Sequence, residues 1–261
     1  MKMQISVVGV CVLSLAGVAR AELVDDARVK TVLEERLEFT TNNVTSRVFG
    51  IVINADHEDP RGCHTNNVRD FYEAWKCKGF EDYNLFVFTS EDVRAKTSEK
   101  HPLWVNGHPT KNNLICLFAY LRKTCKSGDT YYVYLTGHGR RNGDEVFVNM
   151  DDLDLSGAEL VLFLKGVKQK GTRFVVIADH CYSGGIIDKM KDSQLDYVCV
   201  CDTDFKHEVS CRTFMKPFLA AFKQQGVSLR EAFQTAQQSL SSEEMKRNDL
   251  IPLYSSSGSD Q

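Results

Sequence analysis

Five apolar, β-rich runs punctuate this chain, and helical patterns fill the gaps between them. The runs are 47–54 (RVFGIVIN), 84–89 (NLFVFT), 130–136 (TYYVYLT), 173–178 (RFVVIA) and 197–201 (YVCVC). Most are continuously apolar rather than alternating, as strands covered on both faces must be. Residues 65–78 carry Val68, Phe71, Tyr72 and Trp75 at helical spacing. Residues 111–124 repeat the pattern with Leu114, Leu117, Phe118 and Leu121, and 156–168 with Leu160, Leu164 and Val167. Two more helices are expected near 212–225 and 228–246, the second opening with Ser228 and Glu231 at capping-box spacing. Such alternation predicts an α/β fold, a three-layer α/β/α sandwich around a mostly parallel sheet. A last run, 250–256 (LIPLYSS), suits an edge strand because of its proline and brings the sheet to about six strands.

In a sheet of this kind, functional residues collect beyond the carboxyl ends of the strands. Two strand ends run into polar, glycine-flanked clusters. YYVYLT-GHGRRNG sets His138 between Gly137 and Gly139, and RFVVIA-DHCYSGG sets Cys181 just after Asp179 and His180. A histidine flanked by glycines can approach a ligand closely and act as acid or base near neutral pH. A thiol attacks as its thiolate and needs N–H donors or a base nearby. The N–H groups of Gly139 and Cys181 are the candidates for holding an acyl-transfer oxyanion. Either tip alone reads as a turn, and a lone cysteine as a small hydrophobe. Two such tips on neighbouring elements of one sheet point to covalent catalysis. His180-Cys181 and Cys199-x-Cys201 lack the C-x2-C spacing of zinc sites, so no metal ligands are assigned.

The N-terminus has its own pattern: Lys2, an apolar run over 5–19, then Ala19-Arg20-Ala21. That sequence of features is a secretory signal, and the run is short for a span of about 20 residues. Residues 1–21 are therefore expected to be a cleaved signal peptide, 22–46 an N-terminal extension, 47–254 the folded domain and 255–261 a tail. The expected location is secreted, periplasmic or lumenal, with no membrane span in the mature chain. A net charge of −3 gives no sign of a phosphate-backbone binder, so nucleic acid is not an expected partner. Export favours disulfides among Cys63, Cys77, Cys116, Cys125, Cys199, Cys201 and Cys211. If Cys181 is a free nucleophile, at least one of these also stays unpaired. Cys199 and Cys201 share a strand face and should not bond to each other. Asn43-Val44-Thr45 is a glycan acceptor in a eukaryotic secretory pathway.

The two blocks, an apolar run plus His-Gly and an apolar run plus Asp-x-Cys-x-x-Gly, resemble the caspase-fold cysteine peptidases: legumains, metacaspases and caspases. HPTKNNLICLFAYLRKTCKSGDTYYVYLTGHG (108–139) and HCYSGG resemble bacterial-type members of the legumain family. RGCHTNN (61–67) is similar to the Gly-Cys-containing first loop of metacaspases and the His-containing one of legumains. The resemblance covers about residues 47–240. It implies a caspase-like fold and an endopeptidase with catalytic His138 and Cys181, oxyanion donors Gly139 and Cys181, a protein or peptide substrate and no cofactor. Asp179 matches a metacaspase pocket acid, with Asp202 and Asp204 as candidates for a second one, which implies cleavage after Arg or Lys. His64 matches a legumain pocket histidine and implies Asn, although Cys63 replaces the arginine found beside it and Arg61 lies two residues away. Transamidation from the same acyl-enzyme and a silent caspase-fold scaffold are the remaining alternatives. The segment KMKDSQLD (189–196) sits where caspases are cut on maturation. DDLD (151–154) offers acids of the kind some metacaspases use for calcium, without the other ligands.

Overall fold

The elements follow the chain as β1 (Val48–Asn54), α1 (Cys63–Cys77), β2 (Leu85–Thr89), α2 (Lys111–Thr124), β3 (Thr130–Thr136), β4 (Gly139–Asn142), β5 (Glu145–Val148), β6 (Leu155–Ser156), α3 (Gly157–Val167), β7 (Arg173–Asp179), α4 (Gly184–Lys191), β8 (Asp196–Cys201), α5 (Met215–Phe222), α6 (Leu229–Ser239) and β9 (Leu253–Ser256). This computed structural model describes residues 47–55, 62–80, 84–89, 107–209, 212–240, 245 and 251–258. The expected signal peptide (1–21), the expected N-terminal extension (22–46) with the Asn43 sequon, Arg61 and Cys211 lie outside the described residues.

Six strands form one sheet in the order β2-β1-β3-β7-β8-β9. The first five are parallel, and β9 runs antiparallel along the β8 edge. Pro252 stands just before β9, where no ladder amide is required. Both faces of the sheet are covered. Phe49, Ile51, Tyr131, Val133, Phe174 and Val176 pack beneath α2, α3 and α4. Val52, Tyr134, Val175, Ile177, Val198 and Val200 pack beneath α1, α5 and α6. Double burial is why the runs are continuously apolar. The helix starts are fixed by caps: Thr110 on α2, and Ser156/Glu159 and Ser228/Glu231 as full capping boxes on α3 and α6.

Neither α4 nor the small antiparallel sheet β4-β5-β6 follows from the apolar runs. Strand β4 (GRRN) is polar and largely exposed, and its hairpin turns at Gly143 with φ 58°. The only local sign of it is the Asn142-Gly143 pair. Helix α4 opens on Gly184 and Gly185, which read as a turn. Packing explains them better: a Cβ on Gly184 would stand 2.7 Å from the Asp204 backbone, and one on Gly185 2.4 Å from Val146 Cγ1. Helix α6 is also shorter than the expected 228–246 pattern, ending at Ser239.

Among the described residues no disulfide is formed by Cys63, Cys77, Cys116, Cys125, Cys181, Cys199 or Cys201. Cys199 and Cys201 point into the same core with sulfurs 3.8 Å apart, as two thiols on one strand face do. Among the described residues no helix is long and apolar enough to cross a membrane.

Trp75 joins the α1 layer to the sheet, buried against Phe71, Phe80 and Tyr132. Trp75→Ala should lower unfolding free energy by about 3–5 kcal/mol, read as a shift in the urea midpoint.

Candidate active site

Strands β3 and β7 pair in parallel register, so that Thr136 stands opposite Asp179. Each chain then leaves the sheet, and His138 and Cys181 lie two residues beyond that last pair. The shared register therefore delivers imidazole and thiol to the same end of adjacent strands. His138 is exposed and its ring meets His64 edge-on at 5.8 Å between centroids. Cys181 is half-buried.

The turns that carry them depend on backbone only glycine allows. Gly137 has φ 137°, and a Cβ there would press on the Ala55 backbone at 3.1 Å. At Gly139 a Cβ would fall 2.3 Å from the Cys181 carbonyl oxygen. The Asn149 N–H donates to the His138 carbonyl at 3.0 Å, and Gly139 pairs next in the ladder with Val148. Antiparallel pairs alternate between bonded and non-bonded, so the Gly139 N–H points away from β5 and remains available as a donor. Beyond the nucleophile, Tyr182 has φ 64°, a conformation costing on the order of 1 kcal/mol outside glycine. Its N–H donates to the His207 carbonyl at 3.0 Å and its hydroxyl to Glu208 at 2.8 Å, which hold the bend.

Beneath the two tips lies a buried carboxylate hub. Asp179 Oδ2 accepts from Tyr134 Oη at 2.7 Å, from Thr136 Oγ1 at 3.0 Å and from Asn67 Nδ2. Since the Thr136 hydroxyl donates to Asp179, its oxygen accepts from His64 Nδ1, 2.8 Å away. Arg212 donates to Asn67 Oδ1 at 2.8 Å and pairs with Asp70. It thereby turns the Asn67 amide so that its N–H faces the acid.

Asp202 is hydrogen-bonded to Asp179, and Ser183 Oγ donates to its Oδ1 at 2.9 Å. Burial, then the neighbouring Asp179 charge, push Asp202 well above the ordinary carboxylate range. The Asp202 carboxyl is thus held toward its protonated form.

The sequence reading offered Asp204 equally with Asp202, and there the structure disagrees. The Asp204 carboxylate accepts from the Lys206 and His207 amides at 2.7 and 3.0 Å and from His207 Nδ1 at 2.7 Å. It organises its own turn and does not reach the hub.

The acids of 151–154 likewise have partners in the protein. Asp152 accepts the Lys111 amide at 2.9 Å, Asp151 lies 3.3 Å from His108 Nδ1, and Asp154 pairs with Arg140. Among the described residues no three His, Cys, Asp or Glu side chains converge as a metal-ligand set. In the 189–196 segment, Lys189 and Lys191 lie on the last turn of α4 around buried Met190, and residues 192–195 turn into β8.

Two environments set the acid–base character of the tip. Burial raises the Cys181 thiol above its ordinary value, only partly offset by the Val209 backbone. The Val209 N–H lies 3.5 Å from the sulfur, and the thiol faces the Val209 carbonyl at 3.9 Å. Burial thus favours the protonated form of the Cys181 thiol, which sits against the Val209 backbone. His180 is fully buried, and burial pulls its imidazole down to about 4. Its Nδ1 lies 2.9 Å from the Cys181 carbonyl, which can only accept, so Nδ1 carries the proton.

Residues 121–249 match the model of the Peptidase C13 family. The match, with the metacaspase likenesses that follow, supports a caspase-fold cysteine peptidase. The domain is 29% identical to Metacaspase-7 of Arabidopsis thaliana over 157 residues, covering 56% of this chain and 36% of that protein. It is 28% identical to Metacaspase-4 of Arabidopsis thaliana over 156 residues, covering 56% and 34%. Inactive metacaspase-4 of Trypanosoma brucei brucei is 25% identical over 139 residues, covering 49% and 35%. The matched region spans about a third of the length of these relatives.

The sequence reading missed Asn67, Tyr134, Thr136, Ser183 and Arg212. Thr136 alone had a local signal, as a polar residue closing an apolar strand at the functional edge.

His180 makes a pH prediction. In the unfolded chain its imidazole takes a proton near 6.5, but in the folded peptidase only near 4. The unfolded state therefore binds the proton first, and stability falls as pH drops through that window. In His180→Gln that part of a melting-temperature profile should flatten, by on the order of 3 kcal/mol in total.

Proposed function

We propose that this domain is a cysteine endopeptidase that cuts after Arg or Lys. The observation that carries the reading is the Thr136–Asp179 register, with one imidazole and one thiol two residues beyond it. In the proposed cycle the Cys181 proton passes to His138 as the sulfur attacks the scissile carbonyl carbon. The oxyanion so formed takes hydrogen bonds from the Gly139 and Cys181 amides. His138 then protonates the departing amine, leaving a thioester on Cys181. Water attacks the thioester with His138 as base, releasing the acid and the free thiol.

The Arg/Lys preference rests on the acidic Asp179–Asp202 pair, whose Asp179 stands two residues before Cys181. A basic side chain supplies a complementary charge and donors, whereas a neutral amide supplies donors alone. His64 belongs to this neighbourhood through Thr136 and favours no amide over a cation by itself. Export also belongs to this reading, on the strength of Lys2, the apolar 5–19 run and Ala19-Arg20-Ala21.

Acyloxymethyl-ketone probes bearing Arg, Lys or Asn provide the test. Arg and Lys probes should label the protein, and Cys181→Ala should abolish labelling. An Asn probe labelling faster would overturn the pocket assignment and leave the peptidase. No labelling by any probe, with or without calcium, would overturn both.

The two acids should separate. Asp202 is held toward its protonated form, so Asp202→Asn should alter Arg-probe labelling by no more than about threefold. Asp179→Asn should slow it on the order of a hundredfold, with far-UV circular dichroism unchanged.

A further inference from the structure

The end of the domain remote from Cys181 carries a segregated charge. Helix α2 leads into the start of β3 and α3 into the start of β7, so both helices finish at the opposite edge of the sheet from the active tips. Arg122, Lys123 and Lys126 are exposed at the end of α2, and Lys165, Lys168 and Lys170 at the end of α3. The two groups form one patch. Gly128 N–H donates to the Lys170 carbonyl at 3.0 Å, and Ser127 Oγ to the same oxygen at 2.6 Å.

Among the described residues no salt bridge is formed by Arg122, Lys123, Lys165, Lys168 or Lys170, and Lys126 meets only Asp129, whose carboxylate accepts its amide at 2.7 Å. Lys168 Nζ binds only the Gln194 carbonyl, at 2.8 Å. The acid nearest α2, Asp129, is buried and already paired with Arg47. Asp192 and Asp196 are exposed beyond the patch, on the turn into β8. Among the described residues, positive charge is thus concentrated at one end of a chain whose net charge is −3.

Apolar side chains stand beside that charge on the same helix faces. Ile115 is 45% exposed, two turns before Arg122, and Leu162 is 66% exposed, one turn before Lys165. The helices are fixed side by side by Phe118 stacking on Phe163 at 4.9 Å, so this surface is a rigid plane.

We propose that the outer face of α2 and α3 docks the domain on an anionic lipid bilayer. Cations alone would serve a polyanion equally well, but a polyanion gains nothing from Ile115 and Leu162. A bilayer takes both, attracting each lysine or arginine to its surface and burying the apolar side chains at the headgroup boundary. The bound domain would hold the His138–Cys181 edge away from the lipid. This inference is independent of the peptidase reading, because no patch residue belongs to the site.

Sedimentation with vesicles of the full 1–261 chain tests it. The N-terminal apolar run is present in every arm, so the quantity read is the gain on replacing about a third of a neutral phosphatidylcholine with phosphatidylglycerol. At low salt the partition coefficient should rise at least about tenfold. The Lys123→Gln, Lys126→Gln, Lys168→Gln triple variant should lose that gain, and Leu162→Ser should reduce it severalfold. Both variants should keep the wild-type melting temperature, since all the altered side chains are exposed. No gain with anionic lipid, or a gain that survives the triple variant, overturns the proposal. So does a patch that retains heparin through the same lysines while Leu162→Ser leaves vesicle binding unchanged, which would mark a polyanion site.

Discussion

The pairing of Thr136 with Asp179 is the constraint on which the candidate site is built. A slip of one residue between β3 and β7 would send every side chain to the opposite face. Asp179 would then meet the α2–α4 core instead of Tyr134, Thr136 and Asn67. A carboxylate in that core without donors costs several kcal/mol, so the hub selects the register as firmly as the apolar packing does. The same pairing brings His138 and Cys181 to one edge. Fold and candidate chemistry are therefore fixed by a single alignment of two strands.

Around that alignment the chain accepts local strain and unusual protonation. Tyr182 sits in the left-handed region, and its amide and hydroxyl are both tied to residues 207–208. His180 is held neutral and gives its one N–H to the carbonyl of the nucleophile. Gly139 presses so close to that carbonyl that any side chain would displace it. These three features surround one peptide unit, and their common effect is to fix the direction in which the Cys181 backbone points.

The legible part of the molecule is the part that physical periodicity controls. Strands buried on both faces cannot hide their composition, so the six-stranded sheet could be read from apolar runs. His138 and Cys181 were legible because strand ends followed by glycine have few structural uses. Helix α4 was not, because Gly184 and Gly185 answer to the Asp204 backbone and Val146, which no local pattern reports. The hub was only half legible. Asn67 lies 112 residues from Asp179, and Arg212 lies 145 residues from Asn67, so both act through tertiary contact alone. Asp204 has a local partner three residues on, His207, which the sequence reading did not weigh.

The Val209 amide against the Cys181 sulfur has a kinetic meaning. If Cys181 attacks a carbonyl as proposed, that carbonyl competes with the Val209 amide for the space beside the sulfur. Whatever fraction of molecules has that contact open at a given moment sets a ceiling on apparent affinity, however well the remaining contacts fit. Loosening the loop around Val209 would raise that ceiling without changing a single atom that touches the ligand.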